Sequence, residues 1–272
     1  MRKLSLISFL FFLMLTTSAC AQILHVIYDG EQETDAWLGF EQGVSEANIQ
    51  GKFLGLQYKT WLLKESSIFP IEPSTIIIST GPQERILLLA SKYPLTPIFS
   101  IVADVDGDAR SCLPNVLYTL PSSVILNKAT AYWQTEQPSS LGVAYAWHYT
   151  FKKYAASQLN KRFQKSTGIP MTDASWSAWA AVKLFSDVAS RSSIPSSLLL
   201  MPNETNSLAF DGQKGADLYF SPDLELLQPL LIVENGKIVG EFSIDKLSKL
   251  RGTDPQCQAP LNSTSIEVNL YK

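Results

Sequence analysis

Histidine is nearly absent from this chain, with two in 272 residues, and cysteine is hardly commoner, with three. His25 lies inside an apolar run and reads as a packed side chain. His148 follows Trp147 and could face a cleft, but no cysteine or acid stands near it at ligand spacing. No metal site is expected. Nucleophile elbows, zinc-protease helices, Walker loops and dinucleotide glycine fingerprints are all missing, so neither an enzyme nor a cofactor is expected. Positive charge is also short: 22 Lys and Arg face 25 Asp and Glu, for a net charge of −3, with no basic stripe. That balance excludes nucleic acid as a partner. A hydrophobic share of 46% excludes wholesale disorder.

What is present begins with a leader. Arg2 and Lys3 precede a nearly all-apolar run over residues 4–15, too short to span a bilayer, and small residues follow at 16–21. This reads as a secretory signal, with Ala19-Cys20-Ala21 as its cleavage site before Gln22. The alternative is a lipid on Cys20, against which Thr17 stands where a large aliphatic is usual. Loss of 1–21 removes two cations and moves the net charge from −3 to −5. Two cysteines remain, Cys112 and Cys257, each beside turn residues. In an exported chain they suggest one disulfide tying the tail to the first half; two free thiols are the alternative.

The next hundred residues alternate strand and helix. Strands are expected at 23–28, 54–63, 74–79 (Ile76, Ile77 and Ile78 in succession) and 98–102, with helices over 34–48 and 83–92. Asn48 to Gly51 reads as the stop of the first helix. This order predicts a parallel sheet covered by helices. Ligands in such sheets sit beyond the carboxyl ends of the strands, here Tyr28-Asp29-Gly30, Ser79-Thr80-Gly81 and Val102-Ala103-Asp104. Ordinary turns are the alternative for each loop. Asp104, Asp106 and Asp108 are similar to the start of a calcium loop but lack its terminal Glu, and read as a solvated acidic turn.

Residues 112–121 read as a strand or irregular crossing, and 123–133 as a short helix. An apolar run at 141–145 delivers Trp147 and His148. Two amphipathic helices follow, over 151–164 and 172–190, joined by Gly168-Ile169-Pro170. The second carries a face of alanines with Phe185, able to lie close against a flat partner such as a sheet. Trp179 belongs to that face. Trp176 projects away from it, either under the preceding loop or at a cleft where it would stack on a ligand. Asn235-Gly236 between apolar runs predicts a hairpin, and the last twenty or so residues read as loose.

Five stretches in order then resemble one family: GFEQGVSEANIQGKFLG (39–55), PIFSIVADVDGDARSCLPNVLYTLPS (97–122), AWHYTFKKYAASQLNKRF (146–163), GIPMTDASWSAWAAVKL (168–184) and FDGQKGADLYFSPDLELLQP (210–229). They resemble periplasmic substrate-binding proteins of ABC transporters of the Leu/Ile/Val-binding type. More narrowly, they resemble the subgroup associated with pyrroloquinoline-quinone-dependent alcohol catabolism. The resemblance implies an α/β, periplasmic binding protein type I-like fold: two Rossmann-like lobes, three crossings and a ligand in the cleft between them. It implies a non-enzymatic periplasmic protein whose partners are a small solute and an ABC permease. The membrane would be met only through that permease, or through a lipid on Cys20. Carried over by position, Ser79, Thr80, Gly81, Val102, Ala103 and Asp104 would hold the ligand, with Tyr28, Asp29, Trp147 and Trp176 beside it. Asp104 would repel a carboxylate and suit an amine, a hydroxyl or a cation.

Between residues 122 and 146 the family has several more βα units than this chain, about a hundred residues. The expected division is therefore a first lobe of 22–140 with 171–227, a reduced second lobe of 141–170 with 228–245, and a tail at 246–272. The functional alternative is a shortened relative without solute capture, an accessory of a periplasmic quinoprotein alcohol-oxidation system.

Overall fold

The computed structural model describes residues 21–63, 73–102, 110–111, 113–191, 210–252 and 257–258. The leader, Ala103, Asp104, Asp106, Asp108 and Cys112 lie outside them.

Five parallel strands form the main sheet in the order β2-β1-β3-β4-β6: β1 (Gln22–Asp29), β2 (Leu56–Leu62), β3 (Thr75–Ser79), β4 (Ile98–Ser100) and β6 (Val116–Tyr118). The triple isoleucine of β3 is fully buried on both faces, as a central parallel strand requires. Residues 112–121 thus contain a fifth strand rather than an irregular crossing. Helix α1 (Asp35–Leu54) is capped by Thr34, whose Oγ1 accepts from Trp37 N, and α2 (Gln83–Lys92) has the predicted bounds. Helix α1 does not stop at Asn48. It runs on to Gly55, the residue in the left-handed conformation that ends it (φ 68°), while Gly51 is needed for close packing on Leu56.

The alanine face of α5 (Asp173–Arg191) meets a helix rather than a sheet as its closest partner. Helix α1 presents Gly39 and Gly43, and a Cβ on Gly39 would stand 1.9 Å from Ser175 O. Helix α4 (Ala156–Thr167) starts five residues later than predicted, because Tyr154 and Ala155 are left-handed (φ 51° and 68°) and Phe151 is buried in a turn against Trp147.

A second, antiparallel sheet has the order β12-β11-β7, built from β7 (Val143–Tyr145), β11 (Leu230–Glu234) and β12 (Lys237–Phe242). Asn235 and Gly236, with φ of 50° and 71°, make the predicted hairpin turn. Strand β11 alternates: Leu231 and Val233 join the main core, while Leu230 and Ile232 pack with α3 (Ser123–Glu136) and α6 (Ile244–Arg251). Two expectations change here. Helix α3, assigned by sequence to the first lobe, packs on the small sheet through Ile125 and Ala129. Helix α4, assigned to the second, buries Leu159 and Phe163 in the main core, and its Arg162 pairs with Glu46 of α1 at 2.8 Å. Residues 244–251 form a helix across the expected start of the tail at 246, and apart from 257–258 the last twenty residues lie outside the described ones.

Two smaller pairings complete the chain. Strands β8 (Phe210–Asp211), β9 (Asp217–Phe220) and β10 (Leu226–Leu227) form an antiparallel meander. Strand β13 (Cys257–Gln258) runs parallel to β5 (Arg110–Ser111), with Cys257 in register with Arg110.

Candidate functional site

The carboxyl ends of β1 and β3 open onto a cleft of about 590 Å³. Its walls are the loop Asp29-Gly30-Glu31, the first turn of α1 (Thr34, Asp35, Ala36), the turn Thr80-Gly81-Pro82 with Arg85, and Ile101 and Ala174. The parallel sheet dictates this place: each strand ends where the next helix begins, so loops and helix N-termini collect at one edge. Among the described residues, none of the small sheet or its two helices lines it.

The floor is an ion pair. Arg85 donates from Nε and Nη2 to Asp29 Oδ1 at 3.0 and 2.7 Å, and Ser79 Oγ donates to Asp29 Oδ2 at 2.6 Å. Gly81 N in turn donates to Ser79 Oγ at 3.1 Å. Asp29 is nearly buried and Arg85 partly exposed, so the guanidinium's charge is largely spent on a carboxylate of the protein itself. Asp35 accepts from Thr172 Oγ1 at 2.9 Å, joining the first turn of α1 to the start of α5. Glu31 is exposed at the rim. The wall carries three carboxylates and one guanidinium.

Of the residues expected around a ligand, Asp29, Thr80 and Gly81 line the cleft. Tyr28 and Ser79 lie buried behind it. The Tyr28 hydroxyl sits 3.4 Å from Thr34 Oγ1, and burial pushes its phenol above the ordinary range. Val102 is half-buried beside the lining residue Ile101. The two tryptophans require correction. Trp147 and Trp176 are 1% and 0% exposed, stacked on each other at 5.7 Å with planes 11° apart. Their indole N–H groups donate to Asn160 Oδ1 and Gly212 O. They are core, with no face left for a ligand. Trp179 is core as expected, donating to Glu46 Oε2. His25 is buried and accepts at Nδ1 from Trp61. His148 pairs with Thr150 at 2.7 Å and does not line the cleft, and burial holds its imidazole below the usual range.

Sequence reasoning missed Arg85, Asp35 and Ala174. Arg85 stands one turn into α2 after Thr80-Gly81, where its side chain reaches back over the loop. Asp35 and Ala174 stand at the starts of helices expected from the sequence, but the meeting of those helices at one edge is a tertiary fact.

No protein-family model matches the chain, and no curated protein does. Solved structures do. A periplasmic binding protein of Burkholderia mallei superposes with a TM-score of 0.62 at 9% identity, over 85% of this chain and 96% of that one. The fold is periplasmic binding protein type I-like. A solute-binding protein of an ABC transporter of R. palustris, in complex with benzoate, shares that type I-like fold with a TM-score of 0.58 at 10% identity, over 82% and 96% of the two chains. The branched-chain amino acid transporter substrate-binding protein of Streptococcus pneumoniae, in complex with isoleucine, gives 0.52 at 10% identity, over 80% and 98%. Among the described residues, no helix is long and apolar enough to cross a membrane.

Proposed function

We propose that this chain is a non-enzymatic, periplasmic solute-binding component of an ABC importer, exported by its leader and taking its solute at the strand-end cleft. The observation that carries this reading is the cleft itself: about 590 Å³, within the range of small-molecule sites, at the edge where type I-like sheets present their loops. The similar structures described as ABC transporter solute-binding proteins support the role, and those with benzoate and isoleucine show that small solutes suit the fold.

The wall chemistry supports a narrower choice than those two ligands. Arg85 is already paired, and Glu31 and Asp35 would oppose a second carboxylate. At separations near 4 Å, even partial screening leaves a repulsion of a few kcal/mol, about 4 kcal/mol at an effective dielectric near 20. An amine or a polyhydroxylated, alcohol-derived solute meets acceptors instead, with Thr80 as a hydroxyl partner. The expected assay is a thermal shift across amines, diols, amino acids and benzoates. A shift with the first two classes supports the reading, and a shift only with acids reverses the proposed specificity.

One observation favours the second reading. The small sheet with α3 and α6, taken as a reduced second lobe, does not cover the cleft among the described residues. A face left open in this way suits a protein partner of a periplasmic quinoprotein alcohol-oxidation system. Absence of any solute-dependent shift, with retention of one such partner on immobilised protein, would favour it.

A further inference from the structure

Lys214 is buried to 2% exposure in the turn between β8 and β9, far in sequence from everything it touches. Gln213 and Gly215 on either side both have positive φ (60° and 75°), which turns the lysine inward. Its Nζ donates to Ala146 O, to Gln228 Oε1 and, at 3.1 Å, to Pro229 O. It also stands 4.1 Å over the Trp176 ring and 6.0 Å from that of Trp147.

Those acceptors are not scattered. Up to β11, the chain passes between the main body and the small sheet three times: from β6 to α3 through residues 119–122, from β7 through Ala146, and from β10 to β11 through Gln228 and Pro229. Lys214 binds the second and third crossings directly. Gln228 Nε2 donates to Thr119 O at 3.1 Å and so brings in the first, where Ser177 of α5 also donates. Asp173, at the start of α5, accepts from Trp147 N and is the carboxylate acting on the lysine. Gln228, Trp147 and Trp176, the other side chains around the Nζ, carry no charge. Three oxygen acceptors match the three N–H donors of an ammonium, and a neutral amine would leave one without a donor.

We propose that Lys214 is a positioning residue that pins these three crossings to α5 and fixes the small sheet against the main body, so that the two do not turn on each other by a hinge. A type I-like protein built this way would bind on a preset surface. The inference rests on the division into main body and small sheet, not on any solute, so it stands or falls apart from the proposed function.

Hydrogen exchange on the mature protein at pH 6, comparing wild type with Lys214→Met, tests it. Amides in 119–122, 145–148 and 226–230 are expected to exchange at least tenfold faster in the variant, with β1 and β3 unchanged. Uniform acceleration, or none, would overturn the pin. A second readout separates a charged pin from mere packing. Wild-type tryptophan emission is expected to step near pH 7, as the charge over Trp176 is lost, and the variant to show no step. The same step in both would overturn the role of the charge. Should Lys214→Met fail to fold, Gln228→Met cuts the Thr119 branch together with one of the three acceptors of Lys214 and leaves Ala146 O and Pro229 O in place. Faster exchange at 119–122 with 145–148 unchanged then supports the pin, and unchanged exchange at 119–122 refutes it.

Discussion

Arg85 and Asp29 set the floor of the cleft, and the cost of parting them follows from burial. Asp29 keeps only 8% of its side-chain surface exposed, so Arg85→Met would strand a buried carboxylate with Ser79 Oγ still donating to it. Breaking a buried pair costs roughly 3–5 kcal/mol, and the 28% exposure of Arg85 lowers the expectation to about 2–3 kcal/mol. Urea denaturation should recover part of that loss when Asp29→Asn is added, and no recovery would contradict the coupling. Lys214 gives a prediction of opposite character. Burial pushes its ammonium down to about 7 from the usual 10.5, with Asp173 opposing. The unfolded chain holds the extra proton between those values, so this residue makes stability rise with pH across that window and leaves it flat below. Relative to Lys214→Met, the wild-type denaturation midpoint should rise from pH 7 to pH 9.5, and parallel profiles would contradict it. None of this was legible in the sequence. Lys214 is one lysine among ordinary neighbours, and its partners lie 14 to 68 residues away.

At the scale of elements, local chemistry was readable and long-range packing was not. The three isoleucines of β3 and Asn235-Gly236 each specify their structure within a few residues, and the structure has them there. Gly51 misled because a glycine needed for close approach looks the same as one that ends a helix. The alanine face of α5 was correctly seen as a close-packing surface, but its partner could be known only once Gly39 and Gly43 of α1 were seen to face it. That contact predicts a cost. A methyl at Gly39 would strike the backbone of Ser175, which cannot rotate away, so Gly39→Ala should destabilise by about 1–3 kcal/mol. A melting temperature unchanged by Gly39→Ala would refute so close a crossing. The β5–β13 pairing returns the tail to the first half, with Cys257 in register with Arg110, two residues before Cys112; the proposed Cys112–Cys257 disulfide rests on the sequence. Thiol titration of denatured, unreduced protein should find no free thiol, and two would refute the bridge.

At the scale of the molecule, a parallel sheet places its loops at one edge, and a small antiparallel sheet with two helices sits beside it without covering that edge. The overall alternation was readable from 22 to 102 because strands and helices there follow each other without long excursions. The second half was harder: α3 and α4 exchange the partners that sequence order suggested, a matter of which apolar face lies nearest after folding. The central claim is that the cleft takes a small, polar, non-acidic solute. Thermal unfolding of the mature wild type and of Ala174→Phe, which would fill the cleft from the start of α5, tests it most directly. A solute present at a hundred times its dissociation constant adds about 2.7 kcal/mol, a rise on the order of 5–10 °C for a chain of this size. The account predicts that rise with an amine or polyol in the wild type and its loss in Ala174→Phe. An equal rise in both proteins, or none with any solute in the wild type, would contradict it.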